Sequence, residues 1–160
     1  MANRSFSTLT LVAAGGSALG GGVFLAFSTF VMRALDRLPA AGAIAAMQGI
    51  NRYAPNPAFM AVLFGSGALC VPIAVHALRG LDRPGAGAAL AGSLVYLSGL
   101  VVTAAYHVPR NDALARIVPT AVDAASVWSH YSSGWTAWNH VRLLTSVGGA
   151  TLLAIASRTG

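Results

Sequence analysis

Four apolar runs, at about 8–32, 58–78, 86–107 and 135–156, alternate with shorter polar stretches. At about 25 residues the first would make roughly 37 Å of helix, enough to cross a hydrocarbon core of about 30 Å with some tilt. The run starts after Arg4, as a secretory signal does, but it continues well past a signal's usual apolar segment, so a retained span is expected. Pro72 is expected to kink the second span, and Pro109 to end the third. Residues 79–85 between spans two and three leave room only for a tight antiparallel hairpin. The other connections, 33–57 and 113–133, are long. In the first of these, Ile44, Met47, Gln48 and Asn51 recur at i, i+3, i+4 and i+7, the pattern of one face of a helix too short to span. It should lie on the membrane surface or cap the bundle. A second short helix is expected over 123–131, carrying Trp128.

The expected fold is therefore all-α: one domain, an integral membrane four-helix up-down-up-down bundle with short extra helices in the two long loops on one membrane face. This topology sorts the polar groups. Ser28, Asn51, Asn56, His107, Asn111, Asp112, Asn139, His140 and Arg142 converge at one mouth, whereas the other has Arg4, His76, the 79–83 turn and Arg158. A purely structural bundle has little reason for that asymmetry.

Composition supports a lipid environment, with 56% hydrophobic residues and only 9% charged. The net charge of +6 comes entirely from arginines scattered at the ends of apolar runs. That distribution suits membrane flanks and gives no basic stripe for nucleic acid. Cys70, the single cysteine, sits in an apolar run and reads as a small hydrophobe. The first span is rich in small residues, with a Gly16/Gly20 pair and Ala14, Ala18, Gly22 and Ala26 at i+4 spacing. Such a stripe lets helices approach closely, within the bundle or in a homo-oligomer.

Candidate chemistry is densest from Trp135 to Arg142. On a helix Trp135, Trp138, Asn139 and Arg142 share a face, while His140 points about 100° from Asn139. A guanidinium inside a span needs a partner, and Arg142 has two readings: an ion pair with Asp112 or Asp36, or an anchor for an anion or phenolate. His107 and His140, on different spans at one mouth, are candidate bases. A metal is the rival, as His107, His140 and Asp112 form a facial triad on paper; against it stand the absence of Glu, of a Cys pair and of His-x-x-x-His. The tryptophans and Tyr131 read as an interfacial aromatic belt or as the walls of a slot for a flat ligand. Asn56, beside Pro57, reads best as a helix cap.

Four blocks in order, Phe24-x-x-Phe27-Ser28-Thr29-Phe30-Val31-Met32, Met47-Gln48-x-Ile50-Asn51-Arg52 with Asn56-Pro57-x-Phe59-Met60, Val108-Pro109-x-Asn111, and Trp135-x-x-Trp138-Asn139-His140-x-Arg142, resemble the anthrone oxygenase family of small membrane proteins. The resemblance implies oxidation of an anthrone-like aromatic polyketide to a quinone by O2 as co-substrate, without flavin, haem or metal. It also implies a bacterial cytoplasmic membrane setting and a hydrophobic aromatic substrate. Asn51, Asn56, Asn111, Trp138, Asn139, His140 and Arg142 fall at matching positions. Two departures are His107, where an Asn is expected, and Arg33, where a Pro is common. On this resemblance His140 is the expected base with His107 as alternative, Asn139 and Arg142 are donors to an oxyanion, and Trp138 with Phe27 walls the slot. Ser28, Trp135 and the three Asn side chains complete the substrate contacts. The alternatives are a non-catalytic membrane module that binds or transports a hydrophobic small molecule, and a structural subunit packing through the first span.

Overall fold

The computed structural model describes residues 2–159. It is built of helices: α1 (Ala2–Ala26), a π-helical turn π1 (Phe27–Val31), α2 (Met32–Leu35), α3 (Ala40–Tyr53), α4 (Pro57–Leu78), α5 (Ala86–Val102), a second π turn π2 (Thr103–His107), α6 (Val108–Ala115) and α7 (Ala124–Thr159). Four continuous stretches are long and apolar enough to cross a membrane: Arg4–Leu35, Pro57–Leu78, Ala86–Ala115 and Ala124–Thr159. They pack in a ring, α1 on α4, α4 on α5, α5 on α7 and α7 back on α1. The chain is thus the expected all-α, multi-pass bundle.

Three boundaries differ from expectation. Pro109 does not end the third span, because it falls in the first turn of α6, directly after a π turn. A proline there forfeits no ladder bond that a standard turn would have made. Only 116–123 of the stretch 113–133 is a loop: α6 continues to Ala115, and the helix expected over 123–131 is the opening of α7, which runs 36 residues without a break. Ser132-Ser133-Gly134 invites a break but serves packing, since a Cβ on Gly134 would stand 2.5 Å from the Tyr106 hydroxyl and 3.1 Å from an Arg110 nitrogen. At Pro72, α4 stays continuous.

At about 54 Å, α7 is longer than a hydrocarbon core of about 30 Å, so its first turns stand beyond the spanning region with α3. Two apolar cores follow. The membrane core gathers Ala13, Cys70, Ile73, Ala89, Tyr96 and Leu153. The outer core gathers Met32, Ile44, Met47, Leu114, Trp128 and Trp135 under α3. As the 44/47/48/51 pattern requires, Ile44 and Met47 are buried, and Gln48 donates to the carbonyls of Leu114 (2.8 Å) and Ile117 (2.9 Å). Those two bonds clamp α3 across the end of the bundle.

Small residues set the helix spacing. A Cβ on Gly149 would lie 2.9 Å from Tyr96 Cβ and 3.1 Å from the Gly92 carbonyl, so α5 and α7 touch backbone to backbone there. The stripe of the first span is divided: Gly16 faces Ser66 and Gly20 faces Leu63 inside the bundle, whereas Ala18 and Gly22 face outward. Replacing Gly149 by Val should cost about 1–3 kcal/mol by overpacking. Gly15→Ala, with no atom within 4 Å of its Cβ, should leave the melting temperature in detergent unchanged. Equal melting temperatures for both variants would contradict this packing.

Candidate functional site

The two apolar cores are separated by a polar layer, and Asn139 is its fixed point. This side chain is fully buried. Its Nδ2 donates to the Phe24 carbonyl and to Ser28 Oγ, both at 2.8 Å, and its Oδ1 accepts from Arg142 at 2.7 Å. A guanidinium only donates and a carbonyl only accepts, so the amide has one possible orientation. The acceptors on α1 lie beside π1, where Met32 N–H reaches back to the Phe27 carbonyl, five residues away. A π turn re-phases a helix and leaves carbonyls in need of outside donors; Asn139 supplies one.

Arg142 is held over the Phe24 ring, 4.3 Å from its centroid, and near Trp135 at 5.3 Å. It lies about 27 Å along α7 from Ala124, and its Nε has no partner. The ion pair expected from the sequence is not formed. Asp36 accepts instead from Trp128 Nε1 at 2.9 Å, and Asp112 is exposed. Aromatic faces and one neutral amide oxygen therefore carry the buried cation.

The second π turn brings in His107, which is 1% exposed. Its ring stands edge-on to Trp135, with centroids 5.0 Å apart, and its Nε2 lies 3.3 Å from the Trp135 carbonyl. Facing a carbonyl, Nε2 donates there, while Nδ1 is shielded by its surroundings and makes no hydrogen bond.

Nearer the α3 end a third set of bonds forms a relay. Asn51 Nδ2 donates to Tyr131 Oη (3.3 Å), which donates to Asn111 Oδ1 (2.8 Å); Trp135 Nε1 donates to the same oxygen (3.0 Å). The donor-only indole fixes the Asn111 amide, leaving its Nδ2 uncommitted.

These groups surround a cavity of about 290 Å3, lined by Asn51, His107, Asn111, Trp135 and Arg142 among apolar and aromatic side chains that include Phe24, Phe27, Met47, Phe59, Met60 and Phe64. It is nearly all apolar, with few polar groups, as small-molecule sites are. The structure brings together six residues expected at the site, Phe27, Asn51, His107, Asn111, Trp135 and Arg142. Asn139 and Ser28 stand behind the wall.

Three others are elsewhere. His140 is exposed on the outer face of α7 and does not line the cavity. Trp138 is 42% exposed and stacks outside on Tyr106. Asn56 caps α4, its Oδ1 accepting from Phe59 N–H at 3.0 Å. The inward stripe of α7 is 135, 139, 142 and 146, and both His140 and Trp138 fall off it. Tyr131, the hub of the relay, is expected from the sequence as a belt residue or a slot wall and not as a hydrogen-bonding centre; nothing in its own sequence neighbourhood marks it apart from the asparagines it joins. Among the described residues no three His, Cys, Asp or Glu side chains form a metal-binding group.

Fold and site together define a multi-pass membrane protein with a dry aromatic cavity, one imidazole and one buried guanidinium. A family model for anthrone oxygenase matches residues 56–152, more than half of the chain, including His107, Asn111, Trp135, Asn139 and Arg142. The chain belongs to the anthrone oxygenase family, which supports an oxygenase-like function at the level of the family. Comparison with curated proteins and with solved structures gives no match.

Replacing Asn139 by Leu strips the Arg142 guanidinium of its acceptor and should cost about 3–5 kcal/mol, the scale of a buried charge left uncompensated. Asn139→Leu combined with Arg142→Met removes charge and partner together and should regain most of that loss. Thermal unfolding of the two variants in detergent checks this; a double variant no more stable than the single one would contradict it.

Proposed function

We propose that the protein is a cofactor-independent oxygenase that converts an anthrone-like aromatic to the quinone with O2. The observation that carries this reading is that an imidazole, His107, and a guanidinium whose hydrogen-bond partner is a neutral amide, Arg142, line the same apolar cavity.

The benzylic C–H of an anthrone is acidic because its carbanion is also a phenolate. The His107 imidazole takes that proton, and the Arg142 guanidinium balances the charge developing on the oxygen, with Asn111 Nδ2 as a second donor. Asn139 acts by holding Arg142. It is a positioning residue, since both of its N–H bonds are engaged on α1. The anion passes one electron to O2, the resulting radical and superoxide combine to form a C–O bond, the peroxide takes back from His107 the proton it removed, and the hydroperoxide breaks its O–O bond. The remaining proton of that carbon leaves with the departing oxygen as water. In balance, a CH2 group and O2 become C=O and H2O: one oxygen atom enters the product, as in a monooxygenase. Trp135, Phe27 and Phe59 offer faces to the rings, and the dry cavity strengthens each electrostatic contact. Production of the anthrone by aromatic polyketide assembly and residence in a bacterial cytoplasmic membrane belong to the same reading.

Oxygen uptake and quinone absorbance, measured with purified protein in chelator-treated buffer, test it. His107→Gln keeps a donor for the Trp135 carbonyl but removes the base, and should lower turnover about 10²–10⁴-fold without loss of fold. His140→Ala should turn over like the wild type. Full activity in His107→Gln would remove the base assignment, and an absence of quinone from wild type that still binds the anthrone would favour a binding module.

A further inference from the structure

The cavity is bounded differently at the end of the bundle and at its side. α3 lies over the axial end, pinned by Gln48 to the carbonyls of Leu114 and Ile117 and by Asn51 to Tyr131. The side toward α4 differs. α4 packs along α1 and α5 but has no comparable packing on π2 or α6, so its first two turns stand away from the third span. Along that gap two cavity-lining residues are also on the outer surface, Phe64 on α4 at 52% exposure and Val108 on α6 at 49%. Met60 and Thr103 line the cavity behind them. Phe64 lies about 10 Å along α4 from Pro57, inside the hydrocarbon if α4 begins at the membrane surface. No charged side chain stands among these four residues, and Arg142 and His107 line the same cavity.

Building on the oxygenase reading, we propose that the gap between Met60/Phe64 and Thr103/Val108 is a lateral portal through which the substrate passes from the bilayer core into the cavity. The substrate class follows: a neutral, membrane-dissolved polycycle, ionised only after it reaches His107 and Arg142. A ring system bearing a carboxylate, phosphate or sugar would have to take that charged or strongly hydrated group into hydrocarbon at the portal with no partner there. Phe64 and Val108 are thus specificity-determining residues, selecting for the uncharged form before any chemistry.

The test uses binding rather than turnover, so it stands apart from the catalytic assignment. Anthraquinone, a redox-stable flat probe that quenches tryptophan, is mixed rapidly with the full-length protein in nanodiscs, and the association rate is read from intrinsic fluorescence. Val108→Phe should slow association several-fold and Phe64→Ala should speed it. Val101→Phe, on the lipid face of the same span and away from the cavity, should do neither, and Gln48→Ala, which loosens the lid, should leave the rate unchanged. Anthraquinone-2-sulfonate should associate far more slowly than anthraquinone. A rate that ignores both portal substitutions but rises in Gln48→Ala would overturn the lateral route in favour of the axial one, with the oxygenase reading untouched. Absence of any quenching by anthraquinone would overturn both.

Discussion

A guanidinium held inside a membrane bundle without a carboxylate is the constraint on which the rest of this structure depends. Arg142 would be prohibitively costly in hydrocarbon unless its surroundings were fixed around it. Asn139 supplies the one neutral acceptor, and its own two N–H bonds must then go to α1, which ties the first and fourth spans at one depth. Phe24 and Trp135 supply aromatic faces. The π turn that follows Phe24, Phe27–Val31, and the π turn that carries His107 inward both lie at the same end of the bundle. A half-satisfied polar group in such a layer is what a ligand oxygen can complete.

Chemistry and access depend on the same separation of cores. Below the polar layer, small residues such as Gly92 and Gly149 close the helices on one another and leave no room. Above it, the outer core under α3 seals the axial end. Between them remains a cavity that is apolar, shielded and lined by a single cation. On the oxygenase reading proposed above, a carbanion formed there would meet one counter-charge among apolar walls, an arrangement that favours electron transfer to O2 over reprotonation. The opening beside α4 fits this arrangement, since a substrate that dissolves in lipid need never cross an aqueous mouth.

Much of the fold is legible in the sequence because hydrophobic run length is a strong signal in a membrane protein. The short helix at Ala40–Tyr53 is readable from Ile44, Met47, Gln48 and Asn51, whose spacing agrees with their burial and bonding. The site is legible as a set of residues and not as a geometry. His140 and Asn139 are adjacent, and which of them faces inward depends on a rotation of 100° that helix periodicity alone does not anchor. Trp138 sits close to the inward stripe and still ends outside, against Tyr106. The π turns leave no sequence signature, yet each shifts helix phase by a residue, and one of them decides that His107 points in. Proline misled at Pro109 for a related reason: in a packed bundle it answers to neighbouring helices, where in a soluble chain it would mark a break.

The central claim is that the cavity turns a neutral ring system into an anion beside Arg142 before oxygen takes part. The most direct measurement is the absorption spectrum of an anthrone bound to the protein under nitrogen. The account predicts a long-wavelength phenolate band that forms on binding in the absence of O2 and is replaced by the quinone spectrum when air is admitted, with the band lost in Arg142→Met. A bound anthrone that keeps its neutral spectrum under nitrogen, and still yields quinone at the same rate once air is admitted, would contradict it.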